Sequence, residues 1–408
     1  MTSSHALHEQ PATQIPVANR RIQSVDILRG IVMVIMAIDH VRVYSGMPAG
    51  APEAGIFFTR WITHYCAPSF AFFAGTSAFL YYRKTGSKND LVRFLFTRGL
   101  LLVVLEMTVV RFFWTFNFDY ANFTITGVIW MLGWSMILLS AFVRLRATTV
   151  AIIGMAIIFF QQIFLYVPNI FPESMQESVA KWWAFFYPSA VAGEHAVVLS
   201  GGSSGLPNVL GISVFYVIIP WVGVMMAGYG FGQILLMDHD RMKKICVRIG
   251  LAAIAIFIAV ATPMILLFED ADTPFIFKLL GQQKYPPSQL FILMTLGPII
   301  LLVPWAERIK GWVADAFKII GRVPMFYYLI HLLLIHLSAF ALNQIVYGNI
   351  HQDWYESAPF VRLAEENRWG LPLLYLVWII DVVILFYVCK WYATYKSKHR
   401  EIGWTKYI

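Results

Sequence analysis

Hydrophobic residues in this chain come in long blocks parted by short polar gaps, rather than in a strand's alternation or a surface helix's single stripe. A helix that crosses a bilayer needs roughly 20 mostly apolar residues. Runs of that kind occupy residues 25–45, 56–82, 91–113, 122–143 and 148–167, then 209–236, 243–268, 288–306, 315–345 and 371–395. The pattern predicts an all-α, polytopic membrane protein with about ten transmembrane helices. They would form one unit over residues 21–395, between a disordered tail at 1–20 and a second tail at 396–408. The first tail has no apolar core followed by a cleavage site, so the first run reads as a retained anchor and not as a removable signal.

The gaps orient the runs. Arg20 and Arg21 precede the first, and Arg83, Lys84 and Lys88 follow the second. Arg144 and Arg146 follow the fourth, Arg241, Lys243 and Lys244 the sixth, Arg308 and Lys310 the eighth, and Lys396, Lys398 and Arg400 the last. The intervening gaps hold most of the acids, among them Asp119, Glu173, Glu177, Asp353, Glu365 and Glu366. Cytoplasmic loops are the ones rich in Lys and Arg, so both termini are expected in the cytoplasm. The longest gap, 168–208, then lies outside it as a binding element or an inert connector. Its stretch 181–187 suits the membrane interface, and its glycine run at 201–205 suits a hinge.

Composition agrees. Of 408 residues 59% are hydrophobic and only 13% charged, against about 25% charged in soluble domains. The net charge of +8 does not signal nucleic acid, because the basic residues sit in the gaps. Cys66, Cys246 and Cys389 lie in or beside apolar runs, with neither metal-binding spacing nor a disulfide framework.

Ionisable residues inside the runs are the candidates for chemistry, since charge in a bilayer is costly. Ser24 can cap the first helix, and Asp26 suits the positive end of its dipole. Arg29 and His40 are eleven residues apart, so they share a helix face with about 20° of offset and about 16 Å of rise. Asp39 points about 100° from His40 and is placed to pair with Arg42 one turn on. In the second run Arg60 and His64 share a face. His64 falls near the depth of His40, so the two imidazoles either converge or point apart. The third run carries Arg93, Arg98, Glu106 and Arg111. The ninth carries Tyr327, His331 and His336, and the tenth Asp381, which could pair with His331. No helix offers a carboxylate–histidine ligand set, so no metal is expected.

The stretch from Arg21 to Gly30 (RIQSVDILRG), followed by Asp39-His40, resembles the opening of the heparan-α-glucosaminide N-acetyltransferase-like membrane proteins. It is similar also to the Arg-then-His first helix of the wider transmembrane acyltransferase superfamily. Residues 220–229 (PWVGVMMAGY), 284–288 (KYPPS) and 321–328 (GRVPMFYY) look familial too. The resemblance implies transfer of an acyl group, usually acetyl, from cytoplasmic acyl-coenzyme A to a sugar hydroxyl or amine across the membrane. It carries the catalytic histidine to His40 and the first-helix arginine to Arg29. Unlike the lysosomal enzyme, the chain has no room for a large lumenal domain before its first helix. That resembles the short bacterial members, implies a bacterial cytoplasmic membrane, and puts a heparan acceptor in doubt.

Joined together, these readings place coenzyme phosphates near Arg29, Arg93 and Arg98, because guanidinium groups suit phosphate oxygens. A neutral His40 would take the proton of the attacking acceptor, with an acyl-histidine route left open. Asp39 and His64 are the other catalytic candidates, and Asn117 and Asp119 the acceptor-side ones, against a loop-capping role for each. The partners expected are the acyl-coenzyme A donor, a glycan or sugar acceptor and the lipid bilayer, with a homo-oligomer left open. A proton-coupled permease is the main alternative, but it predicts an internal repeat and paired broken helices that are not clear here. A non-catalytic assembly or lipid-binding subunit is the third.

Overall fold

The computed structural model describes residues 22–49, 53–120, 124–191, 208–209, 212–268, 272–358, 361–399 and 401–402. The expected disordered tail at 1–20 and the glycine run at 201–205 lie outside the described residues. The first half of the chain forms α1 (Gln23–Tyr44), α2 (Ala54–Trp61), α3 (Cys66–Thr85), α4 (Lys88–Leu105), α5 (Arg111–Thr115), α6 (Val128–Phe142), α7 (Ala147–Phe159) and α8 (Glu173–Trp183). The second half forms α9 (Trp221–Phe231), α10 (His239–Phe268), α11 (Phe275–Leu280), α12 (Gln289–Ala306), α13 (Trp312–Arg322), α14 (Pro324–Tyr347) and α15 (Leu371–Lys398).

By length and composition α10, α12, α14 and α15 can each cross a membrane, and α6, α7 and α9 with its following turn are shorter apolar helices. Helices α1, α3 and α4 are as long as α12 but carry charges within them. Large apolar side chains such as Leu266, Leu267 and Phe268 on α10 point outward, as they do where a long apolar helix faces lipid. The chain is an all-α, multi-pass integral membrane protein.

Several apolar runs are not single helices, each for a local reason. The second breaks at a 3-10 turn, Ile62–Tyr65, because the ring of Pro68 clashes with the carbonyl four residues back and offers it no N–H. The third stays continuous through a π-turn, Glu106–Val110. The fourth and sixth open as strands: β1 (Thr124–Thr126) pairs in parallel with β3 (Ile212–Val214), which pairs antiparallel with β2 (Asn208–Val209). A short buried strand and a helix segment cannot be told apart by periodicity alone. The ninth run is two helices, α13 and α14. Pro324 pushes Val323 out of the helical region, to φ −127° and ψ 51°.

Helix α1 sits at the centre, packed against α3, α12, α13, α14 and α15. Its crossing with α13 depends on two glycines. A Cβ on Gly30 would lie 2.0 Å from the carbonyl oxygen of Phe317, and one on Gly321 would lie 1.9 Å from that of Asp26. Neither backbone can yield without opening the crossing. Gly30→Ala should therefore cost about 1–3 kcal/mol of stability through overpacking. That would be read as a lower thermal unfolding midpoint in detergent, and an unchanged midpoint would show that the crossing opens freely.

Candidate functional site

Residues along α1 meet different neighbours because the helices around it cross at angles. At its start the Ser24 side chain does not cap the helix. The Ser24 N–H instead donates to Glu307 Oε2 at 2.8 Å, so a carboxylate from the end of α12 supplies the cap. Asp26 lies 3.9 Å from Arg322 of α13. Arg29 turns to α3, where its guanidinium donates to Ser77 Oγ at 2.7 Å and to the Phe73 carbonyl at 3.2 Å.

Three turns on, His40 faces α14. Its Nδ1 lies 2.6 Å from Nε2 of His331. The two rings are within 25° of coplanar with centroids 4.8 Å apart, which is the arrangement of a head-on N–H···N bond. The edge of Trp114 packs on His40 at 4.9 Å. Asp39 accepts from Arg42 Nε at 2.9 Å, the pair that the one-turn spacing suggested, and Arg42 also donates to the Met47 carbonyl.

Asp39 and His40 line a cavity of about 40 Å³, together with Thr63, Cys66, Tyr216 and Lys284. Lys284 comes from the loop between α11 and α12, and Tyr216 from the turn after β3. The Tyr216 and Tyr285 hydroxyls are 3.5 Å apart. Lys284 is close enough to Asp39, His40 and His64 for its charge to act on all three. The space holds the few atoms of a reacting group, not a whole coenzyme.

The other candidates are dispersed. His64 is buried against Phe291, with ring centroids 5.4 Å apart, and is not among the residues lining the cavity with His40. Arg93 is exposed on α4, and Arg98 lies 5.7 Å over the Phe94 ring. Helix α3 packs against both α1 and α4. Asn117 Oδ1 accepts from the buried guanidinium of Arg111 at 2.8 Å and from the Asp119 N–H at 3.0 Å. The carbonyls of Asn117 and Asp119 accept from the same guanidinium, an arrangement that favours loop closure. Asp381 does not pair with His331; it accepts from Ser338 Oγ at 2.7 Å. Glu106 accepts the backbone N–H groups of Ile129 and Trp130 and so caps α6 from outside. His336 bonds the Phe113 carbonyl and stacks on Phe116.

Lys284 and Tyr216 taken singly carry no local signal for this place, Cys66 was expected only as a packed thiol, and His331 pairs with His40 where Asp381 was the expected partner. The one available signal was the stretch 284–288, familiar as a motif but with no chemistry attached to its lysine.

One small cavity inside the multi-pass bundle thus has His40, Asp39 and Lys284 on its border, with His331 and Arg42 bonded to the first two from outside it. The chain belongs to the family described as heparan-alpha-glucosaminide N-acetyltransferase, catalytic, whose model matches residues 21–268. Membership implies a membrane-bound acetyltransferase that draws on acetyl-coenzyme A and delivers to an amine. No curated relative matches the chain. The matched residues include Arg29, His40 and His64, whereas Lys284 and His331 come from beyond them.

The Asp39–Arg42 pair is half-sheltered and directly beside His40. Asp39→Asn should cost about 2 kcal/mol, the worth of a hydrogen bond between charged groups, and should lower the thermal midpoint. An unchanged midpoint would mean the pair is screened as a surface bridge is.

Proposed function

We propose that the protein carries an acetyl group from cytoplasmic acetyl-coenzyme A to an amine or hydroxyl of a sugar on the far side of the membrane, with His40 as general base. The observation that carries this reading is the placement of His40. It lines a cavity with a lysine, a tyrosine and a half-buried carboxylate, on the first helix of a chain belonging to an acetyltransferase family.

In the reaction His40 Nε2 takes the proton of the acceptor as the acceptor nitrogen or oxygen attacks the thioester carbon. The carbon–sulfur bond breaks, and the proton passes from His40 to the leaving thiolate. No net charge or atom is left on the protein. Lys284, which lines the same cavity, stabilises the carbonyl oxygen as it gains negative charge. Asp39 holds Arg42 and, through it, the carbonyl of Met47 at the helix end. His64 takes an outlying place, buried against Phe291 and outside the cavity lining.

Coenzyme phosphates are assigned to Arg29, Arg93 and Arg98 at the basic end of the bundle, supported by the charge bias of the gaps. Asn117, with Asp119 exposed beside it, shapes the acceptor side through the Arg111 loop. The ten-run reading, with both termini in the cytoplasm and residues 21–395 as one transmembrane unit, is part of the same proposal. So is a bacterial cytoplasmic membrane as its location.

The test is release of free thiol from acetyl-coenzyme A by purified protein in nanodiscs, offered a panel of amino sugars and glycans. His40→Ala should abolish release, and Lys284→Met should lower kcat by about 10²-fold, as loss of one oxyanion donor does. Arg29→Ala should raise the KM for acetyl-coenzyme A by about tenfold, as loss of one phosphate contact of about 1.4 kcal/mol would. Full turnover by folded His40→Ala would remove the assignment.

A further inference from the structure

His331 is completely buried in α14, and both of its ring nitrogens are engaged. Its Nδ1 lies 2.5 Å from the carbonyl oxygen of Tyr328 and 3.1 Å from that of Tyr327. A carbonyl oxygen only accepts, so Nδ1 carries a proton. In an uncharged imidazole the other nitrogen is then a lone-pair acceptor. That nitrogen, Nε2, is the one facing His40 Nδ1 at 2.6 Å.

From this geometry we infer that His331 is a positioning residue that selects the tautomer of His40. This inference rests on the acetyltransferase reading above. The backbone of α14 places the proton on His331 Nδ1, and His331 Nε2 in turn requires the proton of His40 on Nδ1. His40 Nε2 is left with the lone pair. His40 borders the cavity and His331 does not, and with Nδ1 taken up by His331, Nε2 is the ring nitrogen left for a substrate. Without this relay a neutral imidazole divides between two tautomers, and one of them presents an N–H that cannot accept the acceptor's proton.

The relay also has a closed end. Once His40 has taken a proton on Nε2, both of its nitrogens carry hydrogen, and Nδ1 still donates to the neutral His331. A proton can go no further than His331, because beyond its Nδ1 lie only the Tyr328 and Tyr327 carbonyls, which accept a hydrogen bond and take no proton. It returns from His40 Nε2 to the departing thiolate. His331 thus does the orienting work that a carboxylate does in a serine–histidine–aspartate triad, without placing a second charge in the membrane.

The experiment uses the full chain in nanodiscs, labelled with ¹⁵N-histidine, with the His40 signals assigned by their loss in His40→Asn. Wild type should show His40 protonated at Nδ1 and bare at Nε2, and His40 protonated at Nε2 instead would overturn the inference. In thiol release His331→Leu, which keeps the burial but has no acceptor, should lose about 10²–10³-fold in kcat, the scale of general-base catalysis. The KM for acetyl-coenzyme A should stay within about twofold, since only the transition state loses an interaction. His331→Gln can place an amide oxygen where Nε2 stood and should recover to within about tenfold of wild type. Folded His331→Leu with wild-type kcat would overturn the relay. If the leucine variant does not fold, His331→Gln is compared with His331→Asn, whose shorter amide reaches only the carbonyls, and equal rates for the two would overturn it as well. Absence of turnover in wild type with every amine would count against the acetyltransferase reading, whereas the ¹⁵N signals would still decide the tautomer.

Discussion

Between helices bathed in lipid, apolar burial contributes little, because a leucine is as well solvated by an acyl chain as by another leucine. What remains is dispersion at short range, so backbones must approach closely, and that requires the smallest side chain. The fold is laced by such approaches. Gly30 and Gly321 join α1 to α13, Gly75 and Gly228 join α3 to α9, and Gly99 and Gly133 join α4 to α6. Gly154 meets Gly223 between α7 and α9, and Gly250 meets Gly297 between α10 and α12. In each pair a Cβ would fall within 3.3 Å of a backbone oxygen across the crossing. The site depends on these crossings, because His40 reaches His331 only if α1 is held at the centre of the bundle.

The polar groups inside the bundle follow a second constraint. With no water in the hydrocarbon region, a buried donor or acceptor must find its partner within the protein. At three places the fold meets this with backbone groups released at helix ends or interruptions. Glu106 caps the start of α6, Glu307 caps the start of α1, and Arg111 is wrapped by carbonyls of the loop that follows it. The break at Pro324 has a related effect. It separates α13, which seals the first turns of α1, from α14, which carries His331 against His40. One continuous helix would have to serve both places along a single axis.

Chemistry in the cavity uses the same economy. His40 and His331 hydrogen-bond each other, Asp39 is matched by Arg42, and Lys284 is supplied from a loop whose aromatic neighbours Tyr285 and Tyr216 pack edge-on to each other. Few charges are present, and each lies near an opposite charge or a carbonyl. The family match ends at residue 268, yet both Lys284 and His331 come from later elements. Beside the residues of the matched region, the cavity thus takes Lys284 from a later loop, and the histidine on its border is held by a later helix.

Residue order by itself determined the membrane class and the apolar character of the runs, and it singled out Arg29 and His40 of the first helix as candidates. Hydrophobic length and the cost of intramembrane charge are local properties, and each residue carries them regardless of what it packs against. The Asp39–Arg42 pair was legible for the same reason, since one helical turn determines it. Helix rotation and crossing are not local, and they decided the rest. Only tertiary structure turned His331 toward His40 and away from Asp381, sent His64 to Phe291, and brought Lys284 and Tyr216 to the cavity. Prolines and short strands also cut apolar runs that hydropathy alone joins, because burial inside protein and burial in lipid call for the same residues.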